Sequence, residues 1–298
     1  MVARALRRAL LPPWLRYLNK SRRARRKLEA IVHELGLPPL DANPLQGRKT
    51  SDTLFILGSG SSVLSYSPDE WAHIARHDSL GFSYWTLHPF VPSNYVFELS
   101  KLDWDFACIT RNLAARLDYR EKGTGVFVKD AERLDNGTVK RLLRAIPEEV
   151  GSFCLMWDAE IPGATPAEFA RALTGLDRFG CFSGNGRWAV PRNRASLFLC
   201  VNLAVRAGYR DIVLCGVDLN NTNYFFKSEG FTVSPGLSVP PDYQSGSVHK
   251  TNDTAHGEMT ISVILDVFDR VVLQPRGITL SVAKASSALH PRFPAFFS

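Results

Sequence analysis

Residues 207–218 read AGYRDIVLCGVD, and this stretch indicates how the chain folds. Gly208 is expected to end an apolar helical segment, because glycine readily takes the left-handed conformation that stops a helix. The run at 212–215 is apolar throughout instead of alternating, which is typical of a parallel strand covered on both faces. Gly216 and Asp218 follow at the carboxyl end of that strand, where open α/β sheets bind their ligands.

Short apolar runs alternate with helical segments over most of the remaining chain. Further strand-like runs lie at 53–57, 95–99, 125–128, 152–157 and 278–282. A helical segment is expected near 255–268, before the last of these strands. Alternation of this kind predicts an α/β fold with a doubly wound, mostly parallel, Rossmann-like sheet.

The positive charge is concentrated at the amino-terminal end. The chain has 36 Lys and Arg against 29 Asp and Glu, for a net charge of +7. Residues 1–50 contain 12 basic and 3 acidic side chains (+9), so residues 51–298 contain 24 against 26 (−2). A nearly neutral body is not typical of a nucleic-acid-binding domain, and we expect no nucleic-acid partner. We therefore divide the chain into a basic arm with a linker at 1–50 and a single body at 51–298.

Residues 1–30 predict a basic amphipathic helix. Leu and Trp residues stand among the arginines, at positions 6, 10, 11, 14, 15 and 18. This mixture favours a helix that lies on an anionic membrane surface, with RNA binding or a solvated tail as alternatives. Charge interrupts the apolar run at 5–11, which is unlike a signal peptide, and no apolar run reaches the length of a membrane span. We expect residues 41–51 to be a linker, and the protein to be cytoplasmic and peripheral on the inner membrane face.

The five cysteines indicate a reducing compartment. They are widely spaced and form no C-x-x-C motif. Most of them stand inside apolar runs, where a free thiol behaves as a small core residue. Neither a disulfide framework nor a zinc site is expected.

Two glycine-containing turns follow predicted strands. Residues 58–62 read GSGSS, directly after the run at 53–57. Glycines there would let backbone N–H groups approach a phosphate or a ribose, and the serine hydroxyls would add donors; the alternative is a tight turn. Asp218 could bind ribose hydroxyls or a base amine, or could cap the next turn.

Polar residues elsewhere leave one candidate base and no metal site. His249 lies in a loop before a helix and could deprotonate a sugar hydroxyl near neutral pH. A loop histidine can also be a plain surface residue, and His256 competes for the same role. Asp158 and Glu160 could form a carboxylate pair, but no third ligand accompanies them, so we interpret them as part of a solvated loop.

Taken in order, these motifs resemble the bacterial sialyltransferases of glycosyltransferase family 42. The resemblance runs from about residue 52 to residue 290, and the arm lies outside it. The matching segments are GSGSS at 58–62, RAS at 194–196, AGYRDIVLCGVD at 207–218, HKTND at 249–253 and ITLS at 278–281. It implies a GT-A-like variant of the Rossmann-like sheet, an inverting and metal-independent transfer, no cofactor, a CMP-activated sugar as donor and a glycan or glycolipid as acceptor. A homo-oligomer is also possible.

The resemblance also implies a role for each matching residue. Contacts to the phosphate, ribose, cytidine or donor sugar are implied for Gly58, Ser59, Gly60, Ser61, Arg194, Ser196, Gly216 and Asp218. Ser83 is expected to take the position of an Asn that the family has at the end of its second strand. His249 would accept the proton of the acceptor hydroxyl, and Tyr224 is the phenol available to the departing phosphate.

The sequence departs from the family at two places. Ser59 replaces the usual Asn of the first turn, and Leu219-Asn220 replaces an aromatic pair. These changes leave two alternatives open. One is a nucleotide-dependent pyrophosphokinase, which would need Mg²⁺ and acidic ligands. The other is a degenerate domain that binds nucleotide or tethers partners to a membrane without catalysis.

Overall fold

The centre of the molecule is a parallel β-sheet. The computed structural model describes residues 11–99, 103–144, 152–184, 186–240 and 248–297. The strands are β1 (Thr53–Leu57), β2 (Asp78–Phe82), β3 (Asn94–Glu98), β4 (Gly125–Lys129), β5 (Ser152–Leu155), β6 (Asp158–Glu160), β7 (Val190–Arg192), β8 (Asp211–Cys215) and β9 (Thr279–Val282). Seven of them form one sheet in the order β5-β4-β3-β2-β1-β8-β9, and β6 pairs with β7 in a second sheet. All the pairings are parallel, so the predicted fold class is confirmed.

Several helices begin or end at residues with clear capping roles. They are α1 (Pro13–Leu35), α2 (Pro68–Ala75), α3 (Asp103–Ala115), α4 (Leu117–Glu121), α5 (Asn136–Arg144), α6 (Pro166–Arg178), α7 (Ser196–Ala207) and α8 (Ile261–Phe268). Ser67 and Glu70 form a reciprocal capping box at the start of α2. Gly208, at φ 80°, ends α7 as predicted. The expected helix at 255–268 begins later, at Ile261, because Thr260 caps it there.

The order of the strands creates a crevice beside β1. Strands β1 to β5 follow one another towards one edge of the sheet, whereas β8 and β9 lie on the other side of β1. Strand β1 therefore pairs with both β2 and β8. The turns that leave β1 and β8 therefore lie side by side at this switch point, which is where doubly wound sheets bind ligands.

Helix α1 packs on the body. Its apolar side was expected to face lipid, but it is buried against the protein instead. Tyr17 and Leu28 are fully buried, and Leu18 is 5% exposed. The Tyr17 hydroxyl donates to the Ala189 carbonyl at 2.6 Å. Apolar burial and this long-range hydrogen bond fix the helix. Residues 1–10, which include Leu6 and Leu10, lie outside the described residues, and the boundary at residue 50 stays a prediction.

The expected linker at 41–51 is also held by the body. Leu45 is fully buried, and the Asn43 amide donates to the Arg206 carbonyl at 3.2 Å. The Thr50 backbone N–H donates to an Asp78 carboxylate oxygen at 2.7 Å. Turn-forming residues marked this stretch as a loop in the sequence, but they carry no information about what the loop packs against.

Most of the cysteines lie in the core. Cys108, Cys181, Cys200 and Cys215 are buried and Cys154 is half-buried, and none of the five forms a disulfide in the described part of the chain. Burial raises the pKa of the Cys200 thiol to about 12, so it behaves as an inert core residue. In the described part of the chain, no helix combines the length and the apolar composition needed to cross a bilayer.

Gly175 in α6 allows α1 to pack closely, which leads to a stability prediction. A Cβ atom there would lie 2.8 Å from the Trp14 Cβ atom. Gly175→Ala is therefore expected to lower the free energy of unfolding by about 1–3 kcal/mol through overpacking, although alanine favours helix. Urea denaturation measures this change. Gly47→Ala is the control, because no atom lies within 4 Å of its Cβ position; equal stability of both variants would contradict the prediction.

Candidate functional site

One cavity of about 650 Å³ lies at the carboxyl ends of the central strands. Ten of the eleven predicted site residues line it: Gly58, Ser59, Gly60, Ser83, Arg194, Ser196, Gly216, Asp218, Tyr224 and His249. Ser61 does not line the cavity, and its backbone N–H donates to the Asn223 carbonyl at 2.9 Å. His256 is also absent from the lining, which favours His249 over its competitor. The structure thus brings the predicted residues together, while their individual roles stay predictions.

The glycines after β1 and β8 pack against each other. A Cβ atom on Gly58 would lie 2.7 Å from the Gly216 carbonyl oxygen, and one on Gly216 would lie 2.7 Å from Val63 Cγ1. Gly216 also has a φ of 60°, which disfavours other residues. The absence of side chains here is required by the contact between the two turns, so it does not by itself indicate a ligand.

Four of the five backbone N–H groups of the first turn are already engaged within the protein. Gly58 donates to the Cys215 carbonyl at 2.8 Å, and Gly60 donates to the Gly216 carbonyl at 2.9 Å. Ser62 N–H donates to an Asp218 carboxylate oxygen at 3.0 Å. The expectation that amides of residues 58–62 face a phosphate was therefore wrong for these donors, as it was for Ser61.

Ser59 is the polar group that this turn leaves for a ligand. Its hydroxyl lines the cavity and is buried, with the residue 6% exposed. Among the described residues, the hydroxyl has no hydrogen-bond partner. A buried hydroxyl without a partner is unfavourable by about 1–3 kcal/mol, so a bound molecule that pairs with it would be stabilised.

Asp218 joins the two turns to each other. Its carboxylate accepts from both the backbone N–H and the hydroxyl of Ser62. It is 6% exposed, although it lines the cavity. The sequence analysis considered a cap for the turn that follows Asp218, whereas the carboxylate bonds to Ser62 in the turn after β1. A contact from Asp218 to a nucleotide stays a prediction.

Tyr224 and His249 form a pair inside the cavity. A short backbone ladder places Tyr224 beside the first turn, because Phe225 N–H donates to the Ser59 carbonyl at 3.1 Å. The Tyr224 hydroxyl then lies 3.2 Å from His249 Nε2. The fold thus brings together two residues that are 25 positions apart in the chain, in the cavity at the switch point of the sheet.

The surroundings of His249 keep its imidazole neutral. Burial, and next the positive charge of Lys250, lower the pKa of His249 below its ordinary value. Its Nδ1 atom lies 2.8 Å from Thr251 Oγ1 and accepts from the Thr251 backbone N–H at 3.3 Å. The Thr251 hydroxyl can donate or accept, so it supports a proton on either ring nitrogen.

Arg194 holds the loop that carries His249. Its guanidinium donates to four backbone carbonyls, at distances from 2.8 to 3.3 Å: those of Lys250, Thr251, Asp253 and His256. These bonds engage Nε and both terminal nitrogens. The residue therefore organises the segment 250–256, and the contact to nucleotide or donor sugar implied by the resemblance stays a prediction.

Glu98 and Lys129 were missed by the sequence analysis. The Ser196 hydroxyl donates to a Glu98 carboxylate oxygen at 2.8 Å, and Lys129 Nζ lies 3.0 Å from the same oxygen. All three residues line the cavity. Burial lowers the pKa of Lys129, but Glu98 and Asp130 outweigh it, so the net shift is upward and the amine stays charged. Each residue stands at the carboxyl end of a predicted strand, and that position is the sequence signal that could have identified it as a site residue.

Asp158 is a buried strand residue, so the interpretation as part of a solvated loop was wrong. It is fully buried in β6, and carboxylate oxygens of Asp130 and Glu132 lie within 4.8 Å of one another and of its own. Two further carboxylates therefore accompany it, and both come from the turn that follows β4. Burial, and then these two neighbours, raise the pKa of Asp158 well above its ordinary value.

Arg192 occupies the centre of this acidic cluster. Its Nε atom lies 2.6 Å from Asp158 Oδ2 and 3.1 Å from Asp130 Oδ1, and a terminal nitrogen contacts Glu132. These are charge contacts; Arg192 Nε makes no aligned hydrogen bond within the described chain. The guanidinium stands where a cation would bind, so the donor set does not fit a metal ion.

The backbone is strained where it borders the cavity. Among the described residues, four non-glycine residues have positive φ values: Ser83, Asp130, Arg194 and Leu219. All four line the cavity, and each follows the carboxyl end of a strand. Such conformations are unfavourable by about 1 kcal/mol or more and cluster at functional sites. This observation marks the same site without reference to any sequence motif.

Comparison with known proteins finds similar structures at low identity. Cst-I, an alpha-2,3-sialyltransferase from Campylobacter jejuni, shares 12% identity at a TM-score of 0.46, over 83% of this chain and 82% of its own. CstII from Campylobacter jejuni, in complex with cytidine-5'-monophosphate, shares 15% identity at a TM-score of 0.40, over 82% and 84%. The MAf glycosyltransferase from Magnetospirillum magneticum AMB-1 shares 12% identity at a TM-score of 0.41, and the match covers 82% of this chain and 33% of that protein. No protein-family model and no curated protein matches the sequence.

The four bonds from Arg194 lead to a prediction about the His249 loop. Arg194→Lys keeps the charge but loses the planar fork of donors. Hydrogen exchange of the Asn252 and His256 amides should become roughly tenfold faster, because charged donors hold this loop. Arg120→Lys, at an exposed position of α4, is the control. Unchanged exchange in the Arg194 variant would show that the loop does not depend on this side chain.

Proposed function

We propose that this protein is an inverting, metal-independent glycosyltransferase. It would move sialic acid or a related ulosonic acid from a CMP-sugar to a hydroxyl of a glycolipid or polysaccharide. The observation that carries the proposal is the pair of Tyr224 and His249, 3.2 Å apart in the cavity at the switch point of the sheet. A phenol and a neutral imidazole side by side are suited to a reaction that takes one proton and stabilises one leaving group.

His249 is proposed as the general base. It would remove the proton of the acceptor hydroxyl as that oxygen attacks the anomeric carbon of the donor. The role requires the lone pair on Nε2, so the proton must lie on Nδ1 and be donated to Thr251 Oγ1, 2.8 Å away. The 3.3 Å bond from the Thr251 backbone N–H to Nδ1 belongs to the other tautomer and is lost when Nδ1 is protonated. The lowered pKa supports the role, because it keeps the ring unprotonated at neutral pH.

Tyr224 and Ser59 are proposed to assist departure of the CMP phosphate. Charge develops on the phosphate as the glycosidic bond breaks, and hydroxyl donors in a largely buried site stabilise it. The amides of Gly58, Gly60, Ser61 and Ser62 donate to the protein itself, so hydroxyls are important among the donors that this turn can offer. Ser59 Oγ is buried with no partner among the described residues, which supports its assignment to the ligand.

The choice of CMP and of an ulosonic acid rests on the sequence motifs. Gly216 and Asp218 at the end of β8, and Ser196 at the start of α7, stand in the family's order and line one cavity. The hydrogen bond from Ser196 to Glu98 places a carboxylate near the proposed sugar site. Carboxylates accept hydrogen bonds from sugar hydroxyls, so Glu98 is proposed to contact hydroxyls of the donor or acceptor.

The alternatives have less support. A pyrophosphokinase would need acidic ligands for Mg²⁺, whereas Arg192 already neutralises the carboxylates of Asp130 and Asp158. A degenerate binding domain is favoured by Asn220, which stands where the family has an aromatic residue. Against it, the pairing of Tyr224 with His249 provides a phenol and a base in one cavity.

Nucleotide selectivity is the first test. Isothermal titration calorimetry should show that CMP binds at least about tenfold more tightly than UMP, AMP or GMP, as expected of a site that recognises the base. Addition of EDTA should change neither CMP binding nor transfer. Equal binding of the four nucleotides would overturn the donor assignment. Transfer that requires Mg²⁺ would overturn the metal-independent mechanism.

The proposed roles of His249 and Tyr224 predict different effects when each residue is replaced. His249→Gln should retain CMP binding and lower turnover by about 100- to 10,000-fold, since it removes the base. Tyr224→Phe should lower turnover by about 100-fold through loss of a donor. The wild-type rate should be flat above the lowered pKa of His249 and should fall below it, where the ring becomes protonated. His256→Gln is the control, and it should behave like wild type in both assays.

Either of two results would contradict these roles. A His249→Gln enzyme with wild-type turnover would exclude the residue as base. A fall in turnover caused by His256→Gln alone would transfer the base role to that residue.

A further inference from the structure

We propose that a groove between α1 and the body binds the anionic surface of a membrane. The groove is lined by Leu15, Leu18, Asn19, Arg22, Arg178, Phe179, Arg187 and Trp188, and it encloses about 390 Å³. We call it the arginine groove. None of these residues lines the large cavity, so the proposal is independent of the proposed reaction.

Aromatic rings hold the arginine groove together. Trp14 of α1 stacks on Phe179, with ring centroids 5.0 Å apart. Trp188 Nε1–H donates to the Phe179 carbonyl at 3.0 Å. The guanidinium carbons of Arg22 and Arg187 lie 5.5 and 5.8 Å from the Trp188 ring centroid. Two cations are thus positioned by one buried ring.

Several arginines near the groove lack acidic partners. In the described part of the chain, neither Arg22 nor Arg178 forms an ion pair or a hydrogen bond. Arg26 lies one turn beyond Arg22 on α1, and Arg171 lies two turns before Arg178 on α6, so both continue the same exposed helix faces. By contrast, Lys20 pairs with Glu160 and Arg25 pairs with Glu29. The positive charges of Arg22 and Arg178 are therefore left for an external anion.

The combination of charge with an exposed ring favours a membrane as the occupant. Phe179 is 42% exposed and stands beside the arginines. Phosphate headgroups would pair with the guanidinium groups, while the ring would enter the boundary between headgroups and acyl chains. A soluble anion would gain nothing from the ring. The lipid surface expected from residues 1–30 is thereby assigned to a folded face that also includes residues 178–188.

Vesicle binding by the full chain tests this assignment. In cosedimentation, the protein should bind phosphatidylglycerol vesicles and not phosphatidylcholine vesicles, and salt should weaken the binding. The triple variant Arg22→Gln, Arg178→Gln, Arg187→Gln should bind roughly 100-fold more weakly, as three charges near an anionic surface predict. Phe179→Ser should weaken binding without a change in charge. Circular dichroism checks that each variant is folded.

A matched variant separates the groove from net charge. Arg76→Gln, Arg120→Gln, Arg210→Gln removes the same charge from exposed positions elsewhere. It should bind vesicles nearly as well as wild type, and an equal loss in both triple variants would overturn the proposal. Loss of binding on deletion of residues 1–10, with full binding by the groove variant, would also overturn it. So would release from vesicles by inorganic phosphate at constant ionic strength, which would indicate a site for a free anion.

Discussion

The site depends on the contact between the turns that follow β1 and β8. Gly58 and Gly216 lie so close that neither could carry a side chain, and backbone hydrogen bonds join the two turns. Asp218 then bonds to Ser62 across the same junction. This contact joins the carboxyl ends of β1 and β8 at the switch point of the sheet, and the cavity lies next to it. The positions of Ser59 and Tyr224 follow from it, because each is attached to one of the joined segments.

Local patterns were sufficient to predict the sheet and the place of the site. Continuous apolar runs marked the parallel strands, and the rule that ligands bind at carboxyl ends pointed to the turns at 58–62 and 216–218. His249 was found as a loop histidine, and the family resemblance was needed for Ser83, Arg194, Ser196 and Tyr224. The sequence was less informative about what each residue does. A glycine indicates close approach of something, but not whether that is a ligand or another loop. Gly58 and Gly216 approach each other, and the amides near them serve the same contact.

Features built from distant segments could not be predicted. The acidic cluster joins Asp130, Asp158 and Arg192 from three elements, and no spacing in the sequence relates them. Helix α1 was interpreted as an arm because its charge differs from that of the body. Its buried side is revealed only by the partners that cover it, such as the Ala189 carbonyl that accepts from Tyr17. Composition describes a segment by itself, whereas burial depends on the surface that it meets.

A bound ligand and the loop that follows His249 would compete for most of the hydrogen-bond donors of Arg194. Its guanidinium satisfies four carbonyls of the segment that follows His249. A phosphate or carboxylate that drew the guanidinium away would leave those carbonyls without their donor. Four of the five N–H donors serve the loop, so a molecule in the cavity can take one hydrogen bond from Nη1 while the segment keeps its order. A contact that uses two or more donors of Arg194 requires the segment at 250–256 to take a new arrangement.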